Sequence, residues 1–109
     1  STKHLYYKKK DDKCRFKNFY YYAPTCCMLI KNSVFSLIGL MDKDYFLYYD
    51  DSDFCARLYE RRIKIGFESN VRFDHLVSKS TGSNSKISLY YLTRNKLIFM
   101  SKNKKLFNF

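Results

Sequence analysis

The chain has 109 residues, with 21 Lys+Arg against 10 Asp+Glu for a formal charge of +11, and 21 of its residues are Tyr or Phe. At 46% hydrophobic with only three Gly and one Pro, it excludes collagen-like and wholly disordered classes. Its apolar runs, such as Leu97 to Met100, fall far short of the roughly 20 residues that a membrane-spanning helix needs.

Residues 1–18 read as a basic, irregular lead-in, and residues 19–109 as one domain. The opening Ser1-Thr2-Lys3-His4 lacks the apolar stretch of a signal peptide. Thr25 to Ile30 reads as a buried strand entered through a bend at Ala23-Pro24. Asn32 or Ser33 is placed to cap a short helix over Val34 to Ile38, and Gly39 to stop it. Leu40 to Tyr49 is a turn and an aromatic-rich segment.

A helix is expected from Asp50 to about Arg62, because carboxylates at its start and Arg61-Arg62 at its end both oppose the helix dipole. Phe54, Cys55 and Leu58 form its apolar stripe. Ile63 to Phe67 and Val71 to Phe73 read as short strands, and Leu76 to Ser85 as a loop. The last helix is expected over Ile87 to Lys102, with Arg94 and Asn95 interrupting its apolar stripe of Ile87, Tyr91 and Ile98.

Cys14, Cys26, Cys27 and Cys55 include no CxxC pair, so a zinc ribbon is not expected, and buried free thiols in a reducing cytoplasm are. The charge is uneven. Five of the ten acids fall between Asp42 and Asp53, whereas seven bases and no acid follow Asp74. A basic body around a compact acidic cluster suits an anionic partner beside a carboxylate site.

The acidic cluster lies in the run from Ile38-Gly39-Leu40-Met41-Asp42 through Tyr48-Tyr49-Asp50-Asp51-Ser52-Asp53-Phe54-Cys55-Ala56-Arg57-Leu58. It continues through Ile65-Gly66-Phe67, Phe73-Asp74-His75, Ser80-Thr81-Gly82 and Tyr90-Tyr91-Leu92-Thr93-Arg94-Asn95. In that order these pieces resemble the second half of the family 2 glycosyltransferases, inverting enzymes of the GT-A fold that include rhamnosyl- and galactofuranosyltransferases. The resemblance covers about residues 20–100.

It implies an α/β fragment: the C-terminal, acceptor-side part of a mixed sheet with flanking helices, the nucleotide-binding half being absent. It also implies a metal-dependent inverting glycosyltransferase that moves a sugar from a nucleotide-sugar donor to a glycan or lipid-linked acceptor in cell-surface polysaccharide synthesis. Asp51 takes the place of the general base and Asp50 that of the preceding acid. His75 takes the place of a ligand to Mn²⁺ or Mg²⁺. Tyr49, Ser80, Thr81, Arg94 and Asn95 take substrate-binding positions.

The fragment alone is expected to be inactive and to self-associate through exposed apolar surface. An anionic membrane is a further candidate contact for its basic, aromatic tail, at the cytoplasmic face of the plasma membrane. Two other readings compete. A non-catalytic interaction domain on a degraded transferase scaffold fits a chain with half an active site. A nucleic-acid-binding module is disfavoured by the acidic cluster and by the lack of any RNP, helix-turn-helix or zinc-finger pattern.

Overall fold

A computed structural model describes residues 20–68, 70–75, 82 and 85–107. Among these residues three α-helices occur: α1 (Asn32–Ile38), α2 (Asp50–Glu60) and α3 (Lys86–Lys102). The expected α/β architecture is overturned: helix makes up 56% and strand 4% of the described residues, and no sheet occurs among them. Short 3-10 turns at Thr25–Cys27, Lys43–Tyr45 and Lys104–Leu106 complete the regular structure.

The strand expectations fail for want of partners. Thr25 to Ile30 begins as a 3-10 turn behind Pro24, and Leu29 is fully exposed rather than buried. Val71 to Phe73 has no regular structure and is exposed. In Ile63 to Phe67, Ile65 makes one isolated bridge, accepting from the Tyr20 N–H at 3.0 Å. An apolar run becomes a strand only where a neighbouring edge takes its backbone groups, and the described residues supply no such edge.

The helices follow the sequence more closely. α1 starts behind Lys31, without a side-chain cap from Asn32 or Ser33, and stops at Gly39. At φ 80° Gly39 sits where a side chain would be strained, and its N–H bonds the Phe35 carbonyl at 2.8 Å.

α2 carries Asp50, Asp51 and Asp53 in its first turn. It ends as a Schellman motif, with Arg62 N–H on the Tyr59 carbonyl and Ile63 N–H on the Leu58 carbonyl, both at 2.9 Å. The left-handed residue of that motif is Arg62, at φ 56°, so the later Gly66 plays no part in the stop. α3 is capped by Ser85, whose Oγ accepts from the Ser88 N–H at 3.1 Å.

The core is small: Tyr45, Phe54, Cys55, Ala56 and Leu58 are buried. α2 supplies four of these side chains, and the expected stripe of Phe54, Cys55 and Leu58 faces inward. Phe35 of α1 packs on Phe54 with ring centroids 5.9 Å apart.

α3 is unusual. Its buried residues are polar, Ser88 and Asn95, and the next buried position on that face is Asn103. Ile87, Leu89, Leu92 and Leu97 are exposed. Of the expected apolar stripe, Ile87 is exposed whereas Tyr91 and Ile98 are half-buried; hydrogen bonds and the ring contacts of Tyr91 and Phe99 hold α3 to the rest of the chain.

An ion pair ties the end of α3 to the segment before α2, with Lys102 Nζ donating to Asp42 Oδ2. The Lys102 bond and then the Asp44 N–H hold the Asp42 carboxyl below its ordinary 3.8. The same bond raises Lys102 above its ordinary 10.5. Asp42 contributes stability above pH 3.8 that is lost as pH falls through its lowered value. Lys102 contributes stability below pH 10.5 that is lost as pH rises through its raised value. Both groups are partly exposed, so the pair is worth at most about 1 kcal/mol. Lys102→Met is expected to lower the thermal midpoint slightly at pH 7, with the deficit shrinking as the pH is taken below 3.8; a deficit that does not change with pH would show that the lost contribution is packing rather than charge.

Candidate active site

The site is built at the start of α2, where the chain must turn from the aromatic segment into a helix. Tyr48 and Tyr49 are both left-handed, at φ 64° and 69°. A non-glycine residue rarely stays in that region unless its surroundings hold it there.

Asn95 supplies the hold. Its fully buried amide Nδ2 lies 2.6 Å from the carbonyls of Tyr45 and Leu47 and 3.0 Å from that of Tyr48. Tyr48 is further tied to Ser88 by a 2.9 Å hydroxyl–hydroxyl bond, and the Tyr49 ring packs on Phe99 at 5.6 Å. α3 thus clamps the loop that delivers Asp50 and Asp51.

A second segment, residues 22–25, crosses the helix start from the other side. Tyr22 Oη donates to Asp51 Oδ2 at 2.6 Å, and Thr25 Oγ1 donates to Asp50 Oδ2 at 3.4 Å. The Ala23 N–H donates to Cys55 Sγ at 3.4 Å, and that thiol reaches back to the Ala23 carbonyl at 3.5 Å. Asp51 Oδ1 accepts from the Ser52 N–H at 2.7 Å and Ser52 Oγ at 3.3 Å. Both acids are half-buried.

The charge on Asp51 is felt by its neighbours. Burial, then the hydrogen bond to Asp51 and its negative charge, hold the Tyr22 hydroxyl proton well beyond the usual phenol range. Burial pushes the Cys55 thiol up, opposed by the Ala23 backbone bond and aided by Asp51. Cys26 is likewise raised, chiefly by burial of its thiol, although the residue as a whole is exposed. Cys55 is a buried free thiol as expected; Cys26 and Cys27 are free but exposed, which departs from that expectation.

Asp53 points the other way, into the interior. It accepts from Tyr45 Oη at 3.1 Å, Arg57 Nε at 3.0 Å and Asn103 Nδ2 at 3.4 Å. Arg57 also donates to the Ile38 carbonyl at 2.6 Å and lies over the Phe54 ring. Asp53 is therefore the hub that joins α1, α2, the Tyr45 turn and the end of α3.

The structure brings Asp50, Asp51, Tyr49 and Asn95 into one neighbourhood. Arg94 lies beside it, donating to the Asp44 carbonyl at 2.9 Å and to Asn95 Oδ1 at 2.7 Å. The partners of Arg94 and Asn95 shown here are protein atoms, and they shape the loop. His75 is exposed and lies beside the Phe73 ring, at 6.5 Å between centroids. Ser80 and Thr81 lie outside the described residues. Among the described residues no three His, Cys, Asp or Glu side chains gather as a metal site. A cleft of about 470 Å³, lined by Tyr20, Tyr21, Leu58, Tyr59 and Ile63 among others, includes neither Asp50 nor Asp51.

Tyr22 and Thr25 were not singled out by the sequence. They lie 29 and 25 residues from the acids they bond, and no local pattern links them.

Two known proteins are similar to this chain. A low-salt glycan biosynthesis hexosyltransferase of Haloferax volcanii is 40% identical over 45 residues, covering 41% of this chain. The dTDP-rhamnosyl transferase RfbF of Shigella flexneri is 26% identical over 83 residues, covering 69% of this chain. The relationship is to glycosyltransferases. The matched regions make up 15% and 28% of the two relatives' own lengths. No family model matches the chain, and no solved structure does.

Proposed function

We propose that this chain is the acceptor-side, base-bearing part of an inverting glycosyltransferase of family 2, acting in cell-surface polysaccharide synthesis. The donor in this reading is a nucleotide-activated hexose or deoxyhexose, and the acceptor a glycan or a lipid-linked glycan. The observation that carries it is Asp51: a half-buried carboxylate at the first turn of α2, oriented by Tyr22 and Ser52, in a chain similar to a hexosyltransferase and a rhamnosyl transferase.

An acceptor hydroxyl is a poor nucleophile until a base draws off its proton as the new bond forms. Asp51 meets the geometric need for such a base, because its carboxylate is pinned but not sealed from solvent. Asp50 is held more loosely, by one 3.4 Å bond, and serves as its neighbour rather than as a second base. Asn95 and Arg94 act in this reading by shaping the loop that presents the acids. Tyr49, Ser80 and Thr81 remain candidates for contact with substrate. The exposed Lys104 and Lys105 beside Leu106 give the end of the chain a basic, partly apolar tip suited to an anionic lipid surface on the cytoplasmic side. The apolar outer face of α3 suits self-association.

A divalent cation, Mn²⁺ or Mg²⁺, enters this proposal through one side chain of the described residues, His75. A bound cation would offset charge on the departing diphosphate. The test uses the full-length protein with dTDP-rhamnose or a UDP-hexose, a glycan acceptor and Mn²⁺. Acceptor-dependent release of nucleoside diphosphate is expected, and its absence with every such donor would overturn the reading. His75→Ala is expected to weaken Mn²⁺ binding about tenfold or more, read by electron paramagnetic resonance of free Mn²⁺. An unchanged binding curve would remove His75 from the metal proposal.

A further inference from the structure

The four hydrogen-bonding directions of a carboxylate can be counted one by one at Asp51. Oδ1 accepts twice, from the Ser52 N–H at 2.7 Å and from Ser52 Oγ at 3.3 Å. Oδ2 accepts once, from Tyr22 Oη at 2.6 Å. The direction left open is therefore on Oδ2. The geometry points to Tyr22 as a positioning residue: its hydroxyl fixes the rotation of the Asp51 carboxylate and leaves Oδ2 as the oxygen that receives the acceptor's proton.

This inference rests on Asp51 being the general base. In the step, the acceptor O–H bond breaks and its proton goes to Asp51 Oδ2. The freed oxygen lone pair forms the bond to the anomeric carbon of the nucleotide sugar. The bond from that carbon to the diphosphate breaks, and its electron pair leaves on the nucleoside diphosphate. Tyr22 keeps its own proton throughout, donating to Oδ2 before and after transfer.

Tyr22 is well mounted for this task. It sits on a short segment whose course is set by Pro24, at φ −72°. That segment is fastened to α2 by the paired Ala23–Cys55 contacts and the Thr25–Asp50 bond. The titratable groups felt around Asp51 are Tyr22, Cys26 and Cys55 from the segment and the helix, with Asp50 next in the chain. Both thiols are pushed up and so neutral at pH 7, and Asp50 is a like charge when ionised. The Tyr22 hydroxyl is thus the side-chain donor to Asp51 among the described residues outside α2.

Removing the hydroxyl alone tests this. In the full-length protein, Tyr22→Phe is expected to lower kcat about tenfold while the donor KM stays unchanged, because orientation of the base is lost and donor binding is not. A Tyr22→Phe kcat equal to the parent's, in a protein inactivated by Asp51→Asn, overturns the role of Tyr22 alone. Full turnover by Asp51→Asn overturns the base assignment itself, and this inference with it.

Discussion

Asp51→Asn is expected to lower the kcat of the full-length transferase by about 10²-fold or more while donor affinity changes little. The amide has the shape of the carboxylate and an oxygen that can still accept from the Ser52 N–H or the Tyr22 hydroxyl, so the helix start should survive. What it loses is the capacity to take a proton from the acceptor. Steady-state kinetics on the pure protein would read the effect, with circular dichroism confirming that helix content is kept. Near-normal turnover in Asp51→Asn together with abolished turnover in Asp50→Asn would move the base one residue along the chain. The looser hold on Asp50, through Thr25 alone, argues against that outcome.

The largest loss of stability should come from Asp53→Ala. Asp53 is 5% exposed and takes hydrogen bonds from Tyr45, Arg57 and Asn103. Removing it strands the Arg57 guanidinium beside the core, where Arg57 Nη2 already lacks a protein partner. Breaking a buried pair from one side costs about 3–5 kcal/mol; Arg57 is a quarter exposed, so solvent screening brings the expectation to about 2–3 kcal/mol. In a domain of this size that lowers the thermal midpoint by roughly 10–20 °C. A melt within 2 °C of the parent, on the order of the shift expected for a neutral surface substitution, would show that the hub carries no net stability. Asp53→Ala and Asp51→Asn should therefore separate cleanly, one in the melt and the other in turnover.

The sequence made some of this legible and hid the rest for definite reasons. α2 could be read because its signals are local: three acids in the first turn, arginines near its end and an apolar stripe at helical spacing. α3 was equally plain in extent, and Arg94 and Asn95 stood out as polar residues on an apolar face. What could not be read was their partners, which lie 47 to 50 residues away in the Tyr45 to Tyr48 loop and at Asp44.

The strand expectations fail because an apolar run cannot declare whether an edge exists to pair with it, and here Leu29 and Val71 are exposed instead. By sequence Asp53 is one more carboxylate at the start of α2. Its i, i+4 spacing to Arg57 was the clue to a second role, and only the structure adds Tyr45 and Asn103. The paired acids are legible through their resemblance to a motif, whereas Tyr22 is legible only in the geometry.

The polar inner seam of α3 also bears on how the sequence can drift. Apolar contacts tolerate exchange among side chains of like volume, whereas hydrogen bonds demand donors and acceptors at fixed places. Ser88, Asn95 and Asn103 therefore act as keys in a lock: a slide of α3 by one turn would break the Tyr48, loop-carbonyl and Asp53 contacts together. The outward Leu89, Leu92 and Leu97 bear no such duty toward the acids. Homologous chains should vary freely among aliphatic residues at those outward positions while keeping the seam nearly invariant, so that substitution rates along α3 rise and fall with a helical period whose minima fall on its polar side.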